Sequence, residues 1–226
     1  MKKLISDCLY FFVVNSSAIF KIFGPFIITT ALVGPLAELS FTLPEYSAWY
    51  YVLYLIIASS IKIYLMAQLI KLMASLVSGQ PIEQSVSLGL WLRLVVIYTV
   101  ISIVVVLGLF VFIIPGIYLA ARYAFADFEI VLNNQRPLAA LEESWADSKE
   151  STAKLMLVTA LIWGSQLMIG YVCESLGALS PILYLVTSSF AQVIDSIAII
   201  LTCVAYFRVY VTNSPANQST PAKIAS

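Results

Sequence analysis

The sequence predicts an all-α, polytopic membrane protein: six transmembrane helices, with interfacial amphipathic elbow helices between them. Three observations carry this. Hydrophobic residues make up 61% of the chain and charged residues 11%, against roughly 25% charged in a soluble domain. The apolar runs are long enough to cross a bilayer. The bases are also one-sided. Read as six spans, the runs leave Lys2, Lys3, Lys21, Lys71, Arg93, Arg136, Lys149, Lys154, Arg208 and Lys223 on one side. The opposite loops hold Glu38, Glu45 and Glu174 and no base. That asymmetry puts both termini in the cytoplasm.

The elements follow in order. Residues 4–14 read as a short amphipathic entry segment, its apolar face bracketed by Asp7 and Asn15. The first span, about 17–37, is interrupted at Gly24–Pro25 and ends at Gly34–Pro35, because a proline removes one backbone hydrogen bond and bends a helix. An outer loop over 38–46 leads to Trp49, Tyr50 and Tyr51, rings that favour the headgroup level. The second span is about 47–70. The third, about 94–114, ends at Pro115–Gly116, read as a tight periplasmic turn into a fourth span over 117–132. The charged stretch 133–154 precedes a fifth span over 155–173. An outer loop over 174–181 and a sixth span over 182–207 follow. These make one membrane domain over 1–211, with a polar tail over 212–226 expected to be disordered in the cytoplasm.

Two cytoplasmic connectors resemble each other. Gln80-Pro81-Ile82 leads to Trp91-Leu92-Arg93, and Arg136-Pro137-Leu138 leads to Trp145. Proline suits the first position of a helix, whose N–H is unbonded anyway. Leu138, Leu141 and Trp145 share one helical face, and Ile82, Val86 and Leu90 make a similar stripe. Both read as elbow helices in the inner headgroup layer, with residues 4–14 a third. The chain then divides into three units, each an elbow followed by a two-span hairpin.

The motifs Ile114-Pro115-Gly116-Ile117-Tyr118 and Asn134-Gln135-Arg136-Pro137-Leu138-Ala139-Ala140-Leu141-Glu142-Glu143-Ser144-Trp145 resemble the YciC family of bacterial inner-membrane proteins. That family is similar to the membrane domain attached to some glycerophosphodiester phosphodiesterases. The resemblance covers roughly residues 75–210. It implies a six-helix protein of the bacterial inner membrane and transfers no catalytic residue, since the phosphodiesterase chemistry belongs to a soluble domain absent here.

Composition narrows the chemistry. The chain has no histidine, which removes the commonest general base and transition-metal ligand. Its net charge of zero offers no basic face to nucleic acid. Cys8, Cys173 and Cys203 are odd in number and far apart, so neither a disulfide framework nor a zinc site is suggested. No metal or cofactor is expected. The expected partners are membrane lipids, then other membrane proteins or a second copy of the chain.

Ionisable groups inside spans cost at least ~2.5 kcal/mol each near the bilayer centre, so they need partners or water. Lys62 and Asp195 both fall roughly 20 Å from the outer ends of their spans, counting helical rise. They are expected to face each other, with Lys62 snorkelling alone as the alternative. The fourth span carries Arg122, Asp127 and Glu129. Arg122, about 9 Å from the outer end of that span, is within reach of the outer interface, and Asp127 and Glu129 lie near the inner one. Gly116, Ala120 and Ala124 form a small-residue stripe that lets another helix approach closely. These polar groups read either as a pocket or ion path between the second, fourth and sixth spans, or as groups that fix the bundle's register.

Three functions were weighed on this basis. The first is a non-enzymatic protein supporting membrane organisation or assembly through lipid or protein contacts. The second is a small transporter or channel. The third, an intramembrane lipid enzyme, has only Asp127 and Glu129 in its favour. A cavity reaching Asp195 separates the second from the first.

Overall fold

A computed structural model describes residues 2–42, 49–80 and 83–213, and among them all regular structure is helical. The helices are α1 (Lys2–Val14), α2 (Ser16–Thr42), α3 (Trp49–Ser78), α4 (Leu88–Val111), α5 (Ile113–Arg122), α6 (Ala126–Asn133), α7 (Pro137–Asp147), α8 (Thr152–Gly177) and α9 (Pro181–Asn213). One turn of 3-10 helix, Lys149–Ser151, leads into α8. Five elements are long and apolar enough to cross a membrane: Ser16–Leu39, Trp49–Ser78, Leu88–Val111, Lys149–Gly177 and Pro181–Asn213.

The expected fourth span is not among them. Residues 117–132 are divided between α5 and α6, with a break at Tyr123–Phe125. The cause is local. The carbonyl of Arg122 accepts from the hydroxyls of both Ser144 and Ser148, each at 2.9 Å. The N–H of Phe125 donates to Ser144 Oγ at 3.1 Å. The N–H of Ala126 turns to the carbonyl of Tyr123 at 3.2 Å. Ser144 of α7 and Ser148 just after it therefore take backbone groups that a continuous helix would pair with itself.

Other boundaries also shift. Prolines 25 and 35 lie inside α2, which continues to Thr42. Thr29 and Thr30 return their hydroxyls to the carbonyls of Pro25 and Phe26 at 2.7 and 2.9 Å, within the stretch that the prolines were expected to interrupt. α3 runs past Lys71 to Ser78 and ends at Gly79, whose φ of +68° suits glycine. The first connector is not an elbow helix: residues 83–87 are non-helical, and Ser87 caps α4 by accepting from the N–H of Leu90 at 3.3 Å. Its Val86 and Leu90 pack into the protein, against a core of Ala67, Leu94, Ile97, Ala126, Ile130 and Ala140. The second connector does form a helix, α7, with Pro137 at its start. The three units are consequently unlike, and the threefold repeat is not reproduced. Thr212 and Asn213 extend α9. The remaining tail, residues 43–46 of the first outer loop and Pro81–Ile82 lie outside the described residues.

α9 is the hub, packed on by α8, α2 and α1. The larger core joins Phe23 of α2, Ile70 and Met73 of α3, Phe125 and Phe128 at the break, Leu155 of α8 and Phe207 of α9. α1 is tied to α9 by an Asp7–Arg208 ion pair at 3.3 Å, half-exposed and worth under about 1 kcal/mol. α4 and α5 form an antiparallel hairpin turning on Phe112, whose backbone is extended.

Gly116 is the tightest point of that hairpin. A Cβ placed on it would lie 2.4 Å from the Leu109 side chain and 2.8 Å from the Leu109 backbone nitrogen. Gly116→Val is expected to destabilise the fold by about 1–3 kcal/mol through overpacking. A melting curve in detergent checks it, and an unchanged midpoint would contradict this close approach.

Candidate functional site

Two groups of polar side chains lie among the helices. The first surrounds the break after α5. Arg122 is only 5% exposed. Its guanidinium lies 4.2 Å from the centre of the Trp145 ring, and Nη1 donates to Thr152 Oγ1 at 3.3 Å. No ion pair joins it to a carboxylate among the described residues. The cation is held instead by the ring face and by the carboxyl end of α5, where backbone carbonyls concentrate negative potential. The Arg122 side chain, expected within reach of the outer interface, is turned into the protein at this contact. It sits beside the first residue of α8, close to Lys149 and Lys154 in the chain.

Asp127 and Glu129 are separate from Arg122 and from each other. Asp127 Oδ2 accepts from Tyr98 Oη at 2.8 Å, and its other oxygen accepts from the N–H of Phe128 at 3.0 Å. Glu129 is buried and accepts from Tyr210 Oη at 2.9 Å and from Asn133 Nδ2 at 2.6 Å. Each acid thus links α6 to another part of the chain, α4 in one case and α9 in the other. The small-residue stripe does not act as one surface. Gly116 serves the α4–α5 contact, whereas Ala124 lies in the break and is buried in the core.

On α7, outside the expected spans, burial and then the Glu143 carboxylate raise the Asp147 carboxyl above the usual range. A raised pKa means that protonation favours the folded state. That contribution is lost as pH rises past the ordinary carboxylate range.

The second group lines a cavity of about 680 Å³ at the Gly177 end of the α8–α9 pair. Its walls include Glu38, Tyr51, Gln166, Glu174, Tyr184, Thr187, Ser188, Gln192 and Asp195. Asp195 Oδ1 accepts from Gln166 Nε2 at 2.6 Å, and Glu38 Oε2 accepts from Ser188 Oγ at 3.0 Å. Asp195 lies 14 residues into α9, about 21 Å from Pro181 by helical rise. Beyond it the helices close: Ser196, Ile200 and Cys203 are buried, and Thr159 bonds Tyr206.

The expected Lys62–Asp195 contact does not form. Lys62 acts on Asp195 through space, but no ion pair within 4.0 Å joins them; Gln166 supplies the direct hydrogen bond. Three positions escaped the sequence reading: Glu38 falls in the expected outer loop over 38–46, and Ser144 and Ser148 were not singled out. The serines did leave a signal, an i, i+4 hydroxyl pair on the helix that also carries Leu141 and Trp145. Cys8, Cys173 and Cys203 are all buried and free.

No protein-family model, curated protein or solved structure matches the chain.

Ser144 is fully buried and satisfies two backbone groups at once. Ser144→Ala strands the buried Phe125 N–H and leaves the Arg122 carbonyl to Ser148 alone, so a loss of about 1–3 kcal/mol is expected. Ser165→Ala, exposed and bonded only within its own helix, is the control and should leave the melting temperature unchanged.

Proposed function

We propose that the chain is a non-enzymatic, multi-pass protein of the bacterial inner membrane, both termini cytoplasmic, that takes up a small cation or amine in the cavity ending on Asp195. The cavity's composition carries this reading. Glu38, Glu174 and Asp195 supply three carboxylates, the two glutamines supply amides, and no lysine or arginine is among its lining residues. Carboxylates gathered in a cleft with low-dielectric walls focus negative potential and raise the local concentration of cations. A carboxylate about 21 Å along a long apolar helix is costly, and a cationic ligand offsets that cost. Lys62 supplies part of the balance from outside the lining. The closed packing below Asp195 supports a binding vestibule, with passage requiring a change in the α8–α9 contact.

The one-sided bases support the cytoplasmic termini, and the YciC-like motifs support the inner membrane. A second reading, membrane organisation through lipid or protein contacts, is favoured by one separate observation: the apolar residues Phe110–Ile114 at the end of the α4–α5 hairpin are all exposed.

Purified protein in liposomes is expected to bind or pass a small monovalent cation, rubidium or tetramethylammonium, above empty vesicles. Asp195→Asn should weaken this about tenfold, the loss of one charge-assisted contact of about 1.5 kcal/mol. Equal uptake by the variant and the unsubstituted protein would remove the cavity from the function and leave the organising role.

A further inference from the structure

The α4–α5 hairpin has an end that the rest of the fold leaves uncovered. Phe110 is 91% exposed, Phe112 73% and Ile114 70%, with Val111 and Ile113 close behind. No charged residue lies between Arg93 and Arg122. A protein partner would cover one side of such an end. Here five successive apolar side chains are each at least 66% exposed, as suits a fluid apolar surrounding.

Where that end lies follows from chain lengths. Arg122 is hydrogen-bonded to Thr152, the first residue of α8. From Arg122, α5 reaches Ile113 in nine steps of helical rise, about 14 Å. α8 takes 25 steps, about 38 Å, to reach Gly177. Allowing about 10 Å between the two backbones for the extended arginine, and α5 laid straight along α8, the tip still stops more than about 10 Å short of the Gly177 end. A ten-residue helix is also about half the roughly 30 Å thickness of a hydrocarbon core. Pro115–Gly116 is nearer still to Arg122, so it does not make a turn at that far face.

We infer that the α4–α5 hairpin is re-entrant: its tip ends within the bilayer, covered by acyl chains, and α5 leaves on the side from which α4 entered. That side is the one carrying Lys149 and Lys154. The chain would then cross the membrane fully with α2, α3, α8 and α9. At the turn the Phe112 N–H donates to the Gly108 carbonyl at 3.1 Å and the Gly116 N–H to the Phe112 carbonyl at 3.4 Å, and the far end of α5 is closed by Ser144 and Ser148. The hairpin would place a wedge of aromatic and branched side chains in one leaflet without a counterpart in the other. The inference uses the topology proposed above only to name that side the cytoplasm.

Single cysteines test it in the full chain, with the unsubstituted protein as background for the three buried native thiols. Leu179→Cys, in the α8–α9 turn, and Glu150→Cys, before α8, report the two faces. A membrane-impermeant maleimide on sealed right-side-out and inverted vesicles should label Leu179→Cys only from outside and Glu150→Cys only from inside. A reversal there sinks the topology and leaves the hairpin question to the third site. Phe112→Cys should lose labelling from both sides, yet react once detergent is added. A nitroxide on it should collide more with oxygen than with a water-soluble nickel chelate. Labelling from outside would show a spanning hairpin, and labelling from inside a cytoplasmic one. Low collision with both quenchers would show a protein cover. Each of these three overturns the inference. Phe110→Cys repeats the measurement if the Phe112 variant elutes as aggregate.

Discussion

The two hydrogen bonds that Ser144 makes at the end of α5 shape everything around them. A helix inside an apolar medium has no water to satisfy backbone groups left open by a break. The chain interrupts itself at Tyr123–Phe125 because α7 brings hydroxyls to both sides of the gap: the Arg122 carbonyl on one, the Phe125 N–H on the other. Ser148 adds a second bond to the same carbonyl. Once the break exists, α6 is free to leave the line of α5. It then inserts Phe125, Phe128 and Ile130 between α3, α4 and α9, where all three are fully buried. Helix association in lipid draws little on the hydrophobic effect and much on close packing and interhelical hydrogen bonds. This region has both.

The same break explains where the charges go. On a continuous helix Arg122 and Glu129, seven residues apart, would share a face and Asp127 would continue the small-residue stripe. The interruption rotates α6 relative to α5, so each group finds a different partner: Trp145 and Thr152 for Arg122, Tyr98 for Asp127, Tyr210 and Asn133 for Glu129. Six helices, α4 to α9, are tied together by three ionisable groups, none paired with another. Neutral donors and a ring face stand opposite these charges in place of buried ion pairs, with the Arg122 Nε left buried and unpartnered. The cavity at Asp195 draws on a different set of residues, from α2, α3, α8 and α9.

Sequence patterning reached the long elements and stopped at the short ones. The long helices α2, α3, α4, α8 and α9 were legible because stretches of twenty or more predominantly apolar residues admit few readings. α7 was legible from Pro137 and the spacing of Leu138, Leu141 and Trp145. The first connector misled, since the spacing of Ile82, Val86 and Leu90 fits a helix, yet Lys71 reaches the Ser85 carbonyl at 2.6 Å and the segment is non-helical over 83–87. The break was invisible for a sharper reason. Nothing in Arg122-Tyr123-Ala124-Phe125 disfavours a helix, with no glycine or proline among these residues. Its cause lies some 20 residues further on, in α7. Asp195 was identified and its depth along the helix foreseen, but its partner was not. A carboxamide on a neighbouring span carries no periodic signal, whereas a lysine at equal depth does.

Charge asymmetry has a blind spot that this fold exposes. Counting bases on either side of the spans fixes orientation only when the turns carry charge or lie between charged loops. The stretch from Leu94 to Ala121 carries none. A hairpin that crosses twice and one that turns back at mid-depth leave every base on the same side. Both also leave an even number of full crossings, so the termini agree as well. Hydropathy is equally silent, because the mean over α4 and α5 is high in either case. What discriminates is length measured against a fixed point, and that point is supplied by Arg122 beside Thr152. The orientation proposed for the bundle and the depth proposed for its second hairpin are therefore independent of each other, one argued from the lysines and arginines and the other from Arg122 held beside Thr152.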